Sequence, residues 1–335
     1  MPPDPALPKL IIQIPCYNEE QTIGETIAAL PRELPGIGVI EWLIINDGSR
    51  DRTVEAALAA GADHVVDLPV NRGLARAFMA GLERAVELGA DIIVNTDADN
   101  QYPAQDIPLL LAPILERRAQ FVVGDRPIAT TAHFSWSKRR LQTLGSHVVR
   151  FASGTEVGDA PSGFRAISRE AAMRIHVFDN YTYTLESLIQ AGQSGIKVLS
   201  VPIGATRETR PSRLVRSNGH YVKRSISAIL RAYLVYRPGK AFFMLGSFPG
   251  VFGAALMLRW IYLYARGTGH PHVPSLVAAA VLLILAFLMW MLGLVGEVLA
   301  INRRLLQDVQ YRVRKRVAEN PLEGPYATGP HANGK

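Results

Sequence analysis

Up to about residue 205 the apolar positions come in short runs broken by polar loops. Residues 9–14 (KLIIQI), 40–45 (IEWLII), 64–68, 91–95 and 120–123 read as strands. Residues 22–30, 53–60, 74–88 and 106–117 read as the helices between them. Strands alternating with helices predict a βαβ series and a mostly parallel sheet. Ligands of such sheets gather beyond the carboxyl ends of the strands, here residues 15–19, 46–49, 97–101 and 124–126. All four stretches are polar and rich in carboxylates or turn residues.

The pattern then changes. Residues 241–258 form an uncharged run of 18, and apolar character resumes at 260–265 after Arg259. A second uncharged run of 24 covers residues 273–296. At 1.5 Å per helical residue each reaches roughly 30 Å, the thickness of a bilayer core. The short segment 266–272 between them makes a hairpin. Two buried core helices are the competing reading, disfavoured because the runs show so little amphipathicity. Residues 221–236 place Val222, Ile226, Ile229, Leu230 and Tyr233 at helical spacing, the pattern of an interfacial helix. Arg259 and the loop histidines His270 and His272 receive no functional role.

Charge refines this picture. Residues 210–240 hold eight Lys/Arg and no Asp/Glu, and residues 302–316 hold six with one Asp. Together they carry +13 of a net +7, which leaves −6 for the remainder. The basic excess thus flanks the apolar runs and speaks for a membrane surface, not nucleic acid. By the positive-inside rule both flanks are expected in the cytoplasm, with the hairpin loop outside. With 48% hydrophobic and only 19% charged residues the chain is not disordered, and part of its apolar surface is expected to face lipid. Cys16 is the single cysteine, so no disulfide framework exists. Residues 1–8 are proline-rich without an apolar run, so no secretory signal is expected there. The expected organisation is a catalytic domain over 1–215, an amphipathic region over 216–240, membrane helices near 241–265 and 273–297, and a basic tail over 301–335.

No G-x-G-x-x-G, P-loop, H-E-x-x-H or paired C-x-x-C occurs. The chemistry must come from carboxylates. Asp97–Ala98–Asp99 follows an apolar strand, so both carboxylates emerge at its end around one small residue. That pattern suits a hard divalent ion shared with the phosphates of a nucleotide. Gln101 could add an oxygen, and Asp47 and Glu19 lie at neighbouring strand ends.

IPCYNEE (14–20), NDGSRDRT (46–53), NRGLARA (71–77) and DADNQYP (97–103) resemble family 2 glycosyltransferases with the GT-A fold. GDR (124–126), SKRR (137–140), DAPSGFRAISR (159–169), TLES (184–187), VPI (201–203) and RPSRL (210–214) narrow the resemblance. In that order they are similar to polyprenyl-phosphate glycosyltransferases of the dolichyl-phosphate mannose synthase type, in the subgroup with a C-terminal membrane hairpin. The resemblance implies a GT-A nucleotide-diphospho-sugar transferase fold. It implies inverting transfer of one sugar from a UDP- or GDP-linked donor to a polyprenyl phosphate, with Mg²⁺ or Mn²⁺ as cofactor. Homo-oligomerisation through the hairpins is implied by the same resemblance.

Roles follow position by position. Pro15, Tyr17, Glu19 and Asp47 would hold the nucleoside, and Asp97, Asp99 and Gln101 the metal and diphosphate. Arg126, Arg139 and Arg165 would approach the acceptor phosphate, and Arg210 and Arg213 would close a loop over the donor. The second motif has Asn46 where many relatives have Asp, and no Q-x-x-R-W of processive synthases occurs. Structural alternatives stand beside these roles: Glu19 as a helix cap, Arg165 as an internal ion-pair residue, and Arg139 resting on headgroups. A neutral lipid such as diacylglycerol is the rival acceptor and would need a base, Glu186 or Asp159. A non-catalytic membrane protein that binds sugar nucleotides is the other rival.

Overall fold

The computed structural model describes residues 7–126, 157–177, 183–204, 234, 237–267 and 272–319. Arg139, Arg210, Arg213, His270 and nearly all of the 221–236 segment lie outside the described residues.

The chain divides into two compact units, the first of residues 1–228 and 307–335, the second of 229–306. In the first unit, β1 (Lys9–Cys16), β2 (Val39–Asn46), β3 (His64–Asp67) and β4 (Ile92–Asn95) alternate with α1 (Ile23–Ala28), α2 (Thr53–Ala59) and α3 (Leu74–Glu87). α4 (Ile107–Leu115), β5 (Phe121–Asp125), β6 (Arg165–Ser168), α5 (Arg169–Arg174), α6 (Tyr183–Gln193) and β7 (Val198–Pro202) follow. Among the described residues the sheet runs β3-β2-β1-β4-β6-β5-β7. All neighbours pair in parallel except β6, which is antiparallel to both β4 and β5.

The expected strands and helices are therefore present, their ends shifted by up to a few residues. β1 shows why the hydrophobic runs specified them. It lies inside the sheet with Leu10, Ile11, Ile12 and Ile14 wholly enclosed, as a parallel strand covered on both faces requires. β6 was not foreseen: it is four residues long and opens on an arginine, which conceals a buried strand from any hydrophobic pattern.

The second unit contains α7 (Pro238–Ala265) and most of α8 (Val273–Glu319). Both are long and apolar enough to cross a membrane, with mean hydropathies of 1.8 and 2.7 over their best windows. Glycines let them approach closely. A Cβ on Gly246 would lie 2.8 Å from the Trp290 ring, and one on Gly253 would lie 3.0 Å from Leu282. The outward faces carry large apolar side chains such as Phe248, Val251 and Leu294, each at least 60% exposed.

Candidate functional site

The loop after β1 is stapled to the loop after β2. The Asn18 amide donates to Ser49 Oγ, the Arg50 amide donates to Asn18 Oδ1, and the Glu19 amide donates to Thr53 Oγ1, each at 2.9 Å. Asn18 adopts φ 54°, a left-handed conformation that asparagine tolerates. The Glu19 carboxylate accepts from Thr22 Oγ1 at 2.8 Å, at the start of α1. Tyr17 stands 41% exposed beside these loops, next to the enclosed Pro15.

Asp47 is buried, and its two oxygens accept the backbone amides of Arg72 and Gly73 at 2.8 Å each. It thereby ties the end of β2 to the turn that begins α3. Gly48 beside it has φ 70°, and a Cβ there would come within 2.6 Å of the Val70–Asn71 backbone, so the position admits only glycine. Around this junction lies a cleft of about 490 Å³, lined among others by Tyr17, Asn46, Gly48, Asp67, Pro69 and Asn71. Asn46 donates its amide to Asp67 Oδ1 at 2.7 Å and accepts the Ser49 amide. Asp67 is a lining residue that the sequence motifs did not single out.

Asp97 and Asp99 leave the end of β4 with Ala98 between them turned into the core. The Ala98 carbonyl is held by Thr26 Oγ1 at 2.9 Å, and the Gln101 amide donates to Asp99 Oδ1 at 3.2 Å. Burial, then the neighbouring Asp99, pushes the Asp97 carboxyl up to about 7, although Arg126 and Arg165 pull the other way. A buried carboxyl whose proton affinity is raised by burial and by a neighbouring carboxylate is favoured as an anion by a nearby cation, and an all-oxygen donor set suits Mg²⁺ or Mn²⁺. Among the described residues no group of three or more His, Cys, Asp or Glu could hold a metal ion.

Arg126, just past β5, pairs with the fully enclosed Asp159 through Nε at 2.6 Å and Nη2 at 3.3 Å. Its guanidinium also lies 5.8 Å from the centre of the Tyr102 ring. Burial opposes its charge, but Tyr102 and Asp159 outweigh that and hold its pKa above the ordinary arginine value. Arg165 is different. It is wholly enclosed and donates to Ser162 O, Ser187 Oγ and Ala160 O at 2.7–2.8 Å. Burial draws its pKa down to about 10. Burial and then Glu19 push the Cys16 thiol up to about 12, the direction that makes a cysteine less reactive.

Of the expected site residues, Pro15, Tyr17, Glu19, Asp47, Asp97, Asp99, Gln101 and Arg126 all lie at carboxyl ends of β1, β2, β4 and β5. Arg139, Arg210 and Arg213 fall outside the described residues. Gln13, Asn95, Tyr102 and Ser187 were not among the expected site residues. Gln13 carried a signal nonetheless, being a polar residue inside the apolar run of β1, and Asn95 closes the apolar β4.

Comparison with known proteins shows the family and the fold. The profile described as "Glycosyl transferase family 2" matches residues 11–175. The chain is 31% identical to the dolichyl-phosphate hexose transferase of Haloferax volcanii over 58% of this chain and 81% of that protein. It is 28% identical to the polyprenol monophosphomannose synthase of Mycolicibacterium smegmatis over 63% of this chain and 82% of that one. Its fold is similar to that of glucosyl-3-phosphoglycerate synthase from Mycobacterium tuberculosis, crystallised with Mn²⁺, UDP-glucose and phosphoglyceric acid. The TM-score is 0.53 at 22% identity, covering 67% of this chain and 79% of that one. The chain has the GT-A type fold, belongs to glycosyl transferase family 2, and is a glycosyltransferase.

Proposed function

We propose that this enzyme transfers a single sugar, with inversion, from a nucleoside diphosphate sugar to a polyprenyl phosphate at the cytoplasmic face of a membrane. The cleft beside Tyr17 and Asp67 takes the nucleoside, with Asp47 fixing the turn that shapes it. Pro15 and Glu19, at the same end of β1 as Tyr17, complete the nucleoside site. Asp97 and Asp99, with Gln101, hold the diphosphate through a divalent ion, which when bound offsets the charge growing on the leaving group. The acceptor phosphate is already ionised near neutral pH, so it attacks without a strong base, provided that cations orient it in line with the anomeric carbon. Arg126 supplies one such cation from its fixed seat on Asp159. α7 and the apolar part of α8 cross the bilayer, and the basic flanks keep both termini in the cytoplasm.

The observation that carries the reading is the Arg126–Asp159 pair beside Asp97. A cation fixed at this point supports a phosphate as the acceptor. The relatives' acceptors, dolichyl phosphate and polyprenol monophosphate by name, have the same chemistry. A hydroxyl acceptor would need a base, and Asp159 is fully enclosed and engaged with Arg126.

The test is turnover of UDP- and GDP-sugars in detergent with undecaprenyl phosphate or diacylglycerol, with Mn²⁺, Mg²⁺ or chelator. A chelator-sensitive product on undecaprenyl phosphate is expected. Product on diacylglycerol alone, or none despite nucleotide binding, overturns the acceptor assignment.

Asp97 adds a pH signature. Its folded pKa is raised, so the carboxylate that the cation requires is present above about pH 7 and is protonated below it. Mn²⁺-dependent UDP or GDP binding is therefore expected to weaken by up to about tenfold per pH unit below 7 and to level off above it. Calorimetric titration at pH 5.5, 6.5, 7.5 and 8.5 checks this, and a flat profile excludes Asp97 as the titrating ligand.

A further inference from the structure

Beneath the carboxylates lies a polar ladder that a parallel sheet does not need for stability. Gln13 on β1 is the register partner of Asn95 on β4, and Asn95 is the partner of Arg165 on β6. All three are wholly enclosed. Gln13 donates to Asn95 Oδ1 at 2.8 Å, and Asn95 Nδ2 donates to the Gly163 carbonyl at 2.8 Å. The Gly163 amide donates to the Tyr102 hydroxyl at 3.0 Å, while the Tyr102 ring stacks on Phe164 at 5.1 Å. Arg165 grips the same turn from below through Ala160 O and Ser162 O, and reaches α6 through Ser187.

This turn faces the site at two points. A Cβ on Gly163 would stand 3.0 Å from Asp97 Oδ1 and 3.1 Å from the Tyr183 hydroxyl, so the backbone is packed directly against the carboxylate. Asp159, at the other end of the turn, is the residue that seats Arg126. One turn thus borders the donor carboxylate and carries the anchor of the acceptor cation, and it is held by two wholly enclosed side-chain amides and a wholly enclosed guanidinium. Burying such groups costs free energy even when they are bonded. The return is a turn whose backbone cannot slide.

We propose that Gln13, Asn95 and Arg165 are positioning residues, a buried ladder across three strands that fixes the 159–163 turn and through it Asp97 and Arg126. Arg165 then acts through this turn and not as a ligand of the acceptor phosphate. The proposal rests on the reading of Asp97 as part of the metal–diphosphate site.

The test uses the full-length enzyme in detergent. It measures thermal unfolding, Mn²⁺-dependent binding of UDP and of GDP, and the KM for undecaprenyl phosphate. The shape-matched double variant Gln13→Met/Asn95→Leu and the variant Arg165→Lys are compared with wild type. Ser187→Ala, which removes one of the three Arg165 contacts, serves where Arg165→Lys does not fold. Nucleotide affinity and kcat are expected to fall about tenfold or more in the ladder variants, and the KM for undecaprenyl phosphate to rise with them, while the folded fraction at assay temperature stays near wild type. Unchanged Mn²⁺-dependent nucleotide binding in the folded variants overturns the proposal while leaving the site reading intact. A raised undecaprenyl phosphate KM with unchanged nucleotide affinity in Arg165→Lys makes Arg165 an acceptor ligand instead. No Mn²⁺-dependent nucleotide binding by wild type removes the site reading, and the ladder's role with it.

Discussion

Replacing Asp99 with alanine is expected to reduce sugar transfer by on the order of a thousandfold, close to abolition. The reason is charge. In the proposed function the two carboxylates at the end of β4 hold a cation against the donor diphosphate. Asp97 alone is a poor substitute: with its neighbour gone its proton affinity falls, but half the charge that attracts a divalent ion is lost. Asp99→Asn keeps the size and the Gln101 amide contact, so it should lose activity about as severely, which separates charge from shape. The α7–α8 hairpin belongs to a different compact unit, so Asp99→Ala should still resist carbonate extraction from membranes as wild type does. Radiolabelled sugar transfer and extraction, run on the same preparation, decide the matter. An active Asp99→Ala enzyme would end the assignment of the metal site.

The positions of Asp97 and Asp99 could be read from the sequence because a single strand rule suffices: an apolar run ends and the next residues emerge at the sheet's edge. The two long helices were legible for a similar reason, since 24 uncharged residues in a row have few other uses. What escaped was whatever depends on a partner distant in the chain. Asp47 binds backbone amides 25 and 26 residues away, and no side-chain pattern announces a backbone donor. Arg165 stands in a run that suits phosphate binding, and its enclosure and its three bonds within the protein are not visible in that run. β6 is the sharpest case. Its antiparallel insertion between β4 and β5 brings the 159–163 turn against Asp97, yet the strand is too short and too polar at its start to be seen beforehand.

Asp159→Ala is expected to have the second largest effect, and it acts on stability and activity by separable routes. Asp159 is fully enclosed, whereas the Arg126 side chain keeps about 30% of its surface in contact with water. Breaking such a pair leaves an uncompensated cation, at a cost of about 3 kcal/mol, the low end for buried pairs because Arg126 can still reach solvent. Unfolding should therefore come at visibly lower temperature or denaturant. Activity should fall further than stability explains, by about a hundredfold, because Arg126 loses the seat that aims it at the acceptor phosphate and orientation carries much of the rate. The double variant Asp159→Ala/Arg126→Met separates the two. Removing both charges spares the fold the lone cation, so stability should recover most of its loss. Transfer to undecaprenyl phosphate should stay low, because the cation itself is gone. Denaturant unfolding and the acceptor KM are the measurements. Recovery of both would show that the pair serves the fold alone, whereas recovery of stability without activity places Arg126 at the acceptor.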